Sequence, residues 1–265
     1  SKLRQVNWGS NFYSEYKFKS STWFGFFEKY MIPQIGDKIS YNSPVSEINY
    51  QGDKVEVKNT NGESYEADKV LITVPIKMLQ KETIQFLPAL PQEKTAAINK
   101  VFIGDGIKVF IEFEERFYPD ITLQGGMIEA LTSADWTYYD AAFRKDSERN
   151  ILGLFTVGEK SSPYAQLNTE EEIINKILAE LDEMYEGQAS INYKKHIIQN
   201  WSKEPYIGGS YALDYENRSQ TIDTILEPVE SKVYFAGEAI HKEWQSTVNG
   251  ACESGYEVVK QILGV

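Results

Sequence analysis

Val233-Tyr234-Phe235-Ala236-Gly237-Glu238 and, after a short loop, Ser246-Thr247-Val248-Asn249-Gly250-Ala251-Cys252-Glu253-Ser254-Gly255 form the stretch that decides the fold. The apolar run from Lys232 to Ala236 reads as a short buried strand, and Gly237 ends it. The loop beyond leads into a helix from about Thr247 to Leu263, whose first turns carry Gly250, Ala251, Ser254 and Gly255. Small residues there let another backbone or a flat ligand come close. The free N–H groups of a helix start suit an anion or an electron-rich ring. A docking helix that closes a sheet explains the same pattern without any ligand.

Outward from that end, the chain alternates short strands and helices. Thr22–Ile32 places Trp23, Phe24, Phe26, Phe27 and Tyr30 at roughly helical spacing, whereas residues 1–22 show no period. Val45–Tyr50, Val55–Lys58 and Val70–Val74 read as three strands, separated by the turns Gln51-Gly52-Asp53 and Asn61-Gly62. Gln92–Lys100 predicts a short helix. Gly106–Phe113 predicts a strand with Ile107, Val109, Ile111 and Phe113 on one side and Lys108, Phe110 and Glu112 on the other. Residues 117–150 are rich in turn residues and aromatics, and Ile151–Val157 is a further strand. Near Asn168 a capping box (Asn168 with Glu171, or Thr169 with Glu172) precedes the stripe Ile173, Ile174, Ile177, Leu178, Leu181 and Met184. Ile191–Trp201 reads as a strand. The composite is an α+β fold: a mixed, largely antiparallel sheet with flanking helices.

Composition narrows the function. Acidic residues outnumber basic ones 39 to 27, giving a net charge of −12, and the strongest basic group is Lys194-Lys195-His196, so a nucleic-acid partner is not expected. Cys252 is the only cysteine and His196 and His241 the only histidines, so neither a disulfide framework nor a His/Cys metal cluster is expected. Cys252 reads as a small buried residue and His241 as surface or loop packing. No run of 18 apolar residues predicts a membrane-spanning helix. The expectation is a soluble, cytoplasmic chain, with the compartment itself unspecified.

Phe235-Ala236-Gly237-Glu238 with Ser246-Thr247-Val248-Asn249-Gly250-Ala251 resembles the C-terminal flavin motif of the flavin-containing amine oxidases, the family of monoamine, polyamine and L-amino-acid oxidases and flavin histone-lysine demethylases. Three more stretches match in the same order. Asn42-Ser43-Pro44-Val45 with Val70-Leu71-Ile72-Thr73-Val74-Pro75 resembles the segment joining the FAD and substrate domains. Gly106-Ile107-Lys108-Val109-Phe110 resembles the strand of the active-site lysine. Trp201-Ser202-Lys203-Glu204-Pro205-Tyr206-Ile207-Gly208-Gly209-Ser210-Tyr211 resembles the run that borders the flavin. The resemblance spans roughly residues 23–264. It implies a substrate domain over 76–205, preceded by a partly unassigned start of that region (1–44) and an FAD-domain-related hairpin segment (45–75). Residues 206–265 would be the C-terminal strand and helix of an incomplete FAD-binding domain.

The resemblance also implies roles. FAD would be the cofactor and a small-molecule amine the substrate, with hydride transfer from the amine α-carbon to flavin N5 and reoxidation by O2. Glu238 would bond the ribityl–pyrophosphate region, Gly237 would let its backbone approach, and Thr247 and Val248 would start the helix aimed at the flavin O2 side. Val45 would touch the adenine end. Tyr211 and Trp201 would wall the amine site, and Lys108 would hold a water near N5. By pattern alone Lys108 is equally a solvated lysine, and Trp201 and Tyr211 are two among 35 aromatics. Ser210 stands where covalent members carry cysteine, so FAD would be non-covalent, and Thr247 stands where monoamine oxidases have a second cage tyrosine.

The family's Gly-x-Gly-x-x-Gly has no counterpart here. Gly104-Asp105-Gly106-Ile107-Lys108-Val109 has valine at the third position and runs into a strand. The expectation is therefore a C-terminal portion lacking that segment, to be supplied by an N-terminal stretch or a partner subunit, and a chain that by itself need not hold FAD. The alternatives are a non-catalytic binding or assembly module, or a fragment inactive without its N-terminal half, and a related flavin desaturase or isomerase.

Overall fold

The computed structural model describes residue 18 and residues 20–123 and 136–265. Contacts divide the chain into two units, Ser1–Asn42 and Ser43–Val265. In the first, the aromatic spacing gives α1 (Trp23–Tyr30), followed by α2 (Ile32–Ile35) and a 3-10 turn at Gly36–Lys38. Thr22 caps α1 by accepting the Gly25 N–H at 3.0 Å. No residue of α1 is buried.

In the second unit the strands lie in three sheets. β1 (Val45–Asn49) and β2 (Val55–Asn59) pair antiparallel, as the Gln51-Gly52-Asp53 turn predicts. The Asn61-Gly62 turn also closes a hairpin, with Gly62 at φ +85°, but its second arm is β3 (Ser64–Ala67). That strand is exposed throughout and carries no apolar alternation, so the sequence gives no signal for it. The expected third arm, β4 (Val70–Ile72), leaves this sheet and is corrected accordingly. After α3 (Ile76–Gln80), β5 (Gln85–Leu87) returns parallel to β1, completing the order β3-β2-β1-β5.

Beyond α4 (Gln92–Lys100), β6 (Gly106–Phe113) joins a five-stranded sheet with β7 (Ile121–Leu123), β8 (Trp136–Asp140), β9 (Asn150–Val157) and β10 (Tyr193–Asn200), in the order β10-β6-β9-β8-β7 with β9 at its centre. All its pairs are antiparallel. β7 and β8 lie inside the stretch read as loop-rich, of which residues 124–135 fall outside the described residues. In β6, Ile107, Val109, Ile111 and Phe113 are buried and Lys108, Phe110 and Glu112 only partly so, as the alternation predicts.

Between β9 and β10 lie α5 (Ser162–Ala165), α6 (Glu170–Met184) and α7 (Gln188–Asn192). The box that forms on α6 is the Thr169–Glu172 one. The stripe from Ile173 to Leu181 is buried against the core of the five-stranded sheet, while Met184 is exposed. α7 takes Ile191 and Asn192, so β10 begins later than expected. α8 (Arg218–Leu226) has a polar first turn and escaped the sequence reading. β11 (Val233–Phe235) pairs parallel with β4, and α9 (Val248–Leu263) covers the pair through Val258 and Ile262 against Tyr234, Ala236 and Leu71. One expectation is reversed here: Cys252 is exposed on α9, because the buried side of that helix is the row Gly250, Ser254 and Val258. Of the two readings of His241, loop packing is the one the structure has: it is 8% exposed, and its Nδ1 accepts the Trp244 N–H at 2.8 Å. Among the described residues, no helix is long and apolar enough to cross a membrane.

Candidate functional site

A cavity of about 540 Å³ opens where β4, β11, the start of β6, the end of β9 and residues 201–211 meet. Its walls are mainly apolar, including Ile72, Val74, Leu79, Phe155, Ile225 and Phe235. Ligand sites of about 300–1,000 Å³ with few polar groups are the usual form of a small-molecule pocket. Lys108, Trp201, Tyr211, Gly237 and Glu238 all line it, although they come from three separate segments of the sequence.

Lys108 points from the less apolar side of β6 and lies 5.8 Å from the ring centroids of both Phe110 and Phe155. It has no hydrogen bond or ion pair among the described residues. Burial without a counter-charge lowers its pKa below the ordinary 10.5. Between that lowered value and the unfolded one, only the unfolded chain keeps the proton, so the lysine's contribution to stability rises with pH across the window. Competitive acylation followed by mass spectrometry should show Lys108 becoming reactive at a lower pH than an ordinary lysine. A titration at the ordinary value would contradict the burial.

Gly237 ends β11 at φ +151° and ψ 173°, a region open essentially to glycine. A Cβ built there would meet nothing within 4 Å, so no packing contact demands the glycine. Its N–H donates to Ser254 Oγ at 3.1 Å, which ties the strand end to α9. This open, glycine-only backbone beside an apolar cavity fits the close approach of a flat ring.

Glu238 holds the site together. Its carboxylate accepts the Ala212 N–H at 3.3 Å and the Ser246 N–H at 3.0 Å. Ser246 Oγ in turn donates to the Ala212 carbonyl. The residue after Tyr211 and the loop before α9 are thus fastened to one side chain. Burial raises the Glu238 pKa, and the two N–H bonds oppose that shift.

The remaining predicted residues stand elsewhere. Val45 opens β1 and packs against the core of that region; it does not line the cavity. Thr247 caps α9, accepting the Gly250 N–H at 3.0 Å and donating to the Trp244 carbonyl at 2.6 Å. Val248, the first residue of α9, is exposed. From this helix it is Ala251 that reaches the cavity wall. Phe155 was missed: the sequence shows its strand but not which face meets β6, and only the register Lys108↔Phe155 places it beside the lysine. Ser210 bonds the Gly104 carbonyl through its N–H at 2.9 Å and its Oγ at 3.2 Å.

An α+β unit of mixed, largely antiparallel sheets with this cavity matches known proteins. Residues 16–263 match the family model described as flavin containing amine oxidoreductase, and the chain belongs to that family. It is 33% identical over 235 residues to lysine-specific histone demethylase 2 of Homo sapiens, covering 86% of this chain and 28% of that protein. It is 28% identical over 230 residues to amine oxidase [flavin-containing] B of Bos taurus, covering 86% and 44%. Among solved structures, a putrescine oxidase bound to putrescine superposes with a TM-score of 0.69 at 21% identity, covering 89% of this chain and 51% of that one. The chain thus spans between 28% and 51% of the length of these relatives.

Proposed function

We propose that this chain forms the amine-facing wall and the ring-binding edge of an FAD-dependent amine oxidase. The supporting observation is the convergence of Lys108, Trp201 and Tyr211 with Gly237 and Glu238 around one apolar cavity. On this reading residues 76–205 are the substrate domain, and 45–75 with 206–265 belong to the FAD-binding part. Bound FAD would supply the redox chemistry, the acceptance of a hydride from the carbon beside the amine. Gly237 would admit the ring, Glu238 would hold the loops around it, and FAD would stay non-covalent because Ser210 offers no thiol. Val45, Thr247 and Val248 would contact parts of the cofactor outside this cavity.

The protein's own groups act by positioning and desolvation. The rings of Trp201 and Tyr211 would flank the amine and favour its alignment. Lys108, with no neighbouring carboxylate to hold its proton, would bind a water or exchange a proton at Nζ. The apolar walls exclude bulk water. No ionisable carboxylate base is called for.

The test is a visible spectrum of the full-length protein with FAD after desalting, followed by oxidation of a panel of amines and amino acids. Retained flavin bands and amine-dependent bleaching are expected, and Lys108→Met should slow reoxidation by O2. Flavin binding with no response to any amine would sink the oxidase reading.

A further inference from the structure

Gly104-Asp105-Gly106 runs into β6 rather than into a helix, and other segments approach it closely. A Cβ on Gly104 would lie 2.5 Å from the Gly158 Cα, and one on Gly209 would lie 2.8 Å from the Gly104 carbonyl oxygen. The Gly104 carbonyl takes the Ser210 N–H, the Asp105 carbonyl takes the Gly158 N–H at 2.8 Å, and Ile103 bridges Ala212. The segments that carry Lys108, Tyr211 and the end of β9 therefore cross at this point.

The Asp105 carboxylate is the polar centre of the crossing. Its Oδ2 accepts Ser162 Oγ at 2.7 Å and Gln166 Nε2 at 2.9 Å, both from the α5 region. The Ser202 side chain lies close enough to help hold its charge, and Ser202 Oγ is fixed to the next residue of this segment by accepting the Gly106 N–H at 3.0 Å. Although burial works to raise its pKa, the bonds from Gln166, Ser162 and Ser202 win and hold the carboxyl below its ordinary value. An ionised acceptor makes each of these hydrogen bonds stronger than a neutral one would. Ser202 directly follows Trp201 in the turn Trp201–Lys203. The same turn is anchored to the α5 region by Asn200 Nδ2 on the Ala165 carbonyl at 2.9 Å and by Lys203 on the Leu167 carbonyl.

We infer that Asp105 is a positioning residue: through Ser202 it fixes Trp201, and through the start of β6 it fixes the spacing between that indole and Lys108 across the cavity. Asp105 itself does not line the cavity. Its consequence for turnover rests on the amine-oxidase reading, whereas the positioning of Trp201 does not.

The test uses the protein labelled with 5-fluorotryptophan, with the Trp201 signal assigned by Trp201→Phe. In Asp105→Asn, where an N–H2 group faces the three donors, the Trp201 19F resonance should shift or broaden while the other tryptophan signals hold. Ser202→Ala should reproduce the change by removing only the link, and it guards against a folding defect in the first variant. Ser162→Ala breaks the α5 side alone and should move Trp201 less than either. An unchanged Trp201 signal in both Asp105→Asn and Ser202→Ala overturns the assignment, and so does an equal change in all tryptophans, which would mean general loosening. Because the readout needs neither flavin nor substrate, failure of the oxidase reading would leave it intact. Where turnover is measurable, both variants should lower kcat by more than they raise KM.

Discussion

Replacing Gly250 with alanine is expected to unsettle the loop that leads into α9. A Cβ at that position would lie 1.9 Å from the Trp244 carbonyl oxygen, 2.8 Å from its carbon and 3.0 Å from Thr247 Oγ1. All three are held atoms: the carbonyl accepts Thr247 Oγ1, and that oxygen accepts the Gly250 N–H. The loop therefore has to move, losing the helix cap and disturbing the Ser246 N–H bond to Glu238. Overpacking costs of about 1–3 kcal/mol plus about 1 kcal/mol for the cap suggest a loss near 3 kcal/mol. At about 2–4 °C per kcal/mol, the melting temperature should fall by roughly 6–12 °C. Thr247→Ala, which removes only the cap, should cost about 1 kcal/mol. A Gly250→Ala protein melting with the wild type would show that the loop is not clamped on the helix.

The second large effect is expected at Lys94, a lysine only 3% exposed. Its ammonium donates to the carbonyls of Thr224, Ile225 and Glu227 at 2.8, 2.9 and 2.6 Å, capping the end of α8, and lies 5.0 Å from the centroid of the Phe235 ring. Ile225 and Phe235 both line the cavity, so this contact braces its rear wall. Lys94→Met keeps the aliphatic bulk but strands three carbonyls at a negative helix end, a loss of about 2–4 kcal/mol. Burial lowers the Lys94 pKa to about 8. Between there and the unfolded value of about 10.4 the unfolded chain binds more protons, so wild-type stability from this group rises with pH. The gap between wild type and variant in chemical denaturation should therefore widen above pH 8. A gap that narrows instead would reverse the assigned direction of the shift.

Much of the secondary structure was legible because local signals agreed. β6 alternates apolar and polar residues, and its buried and half-buried positions follow that alternation. α6 has both a box and a stripe, and α9 has a capping threonine and a glycine at its far end. β3 and α8 were not legible, since Ser64–Ala67 is polar and exposed and α8 opens on Arg218-Ser219-Gln220. Of the candidate site, Lys108, Trp201, Tyr211, Gly237 and Glu238 were found through motif resemblance, and the cavity gathers them. Phe155 and Asp105 carry no motif. The first owes its place to strand register and the second to a crossing of distant segments.

The sequence by itself determined most of the longer strands and helices, because periodicity, caps and turn residues act over a few neighbouring positions. Its four ordered motifs also determined the family. Tertiary structure alone decided that β4 leaves its hairpin neighbours for β11, since a parallel partner 163 positions away in the register Val70↔Val233 leaves no local trace. It also decided that Glu238 joins Ala212 to Ser246, that Cys252 faces outward and that Lys94 turns inward. Each of these depends on which surface a side chain meets after distant segments pack, and no local rule of spacing contains that information.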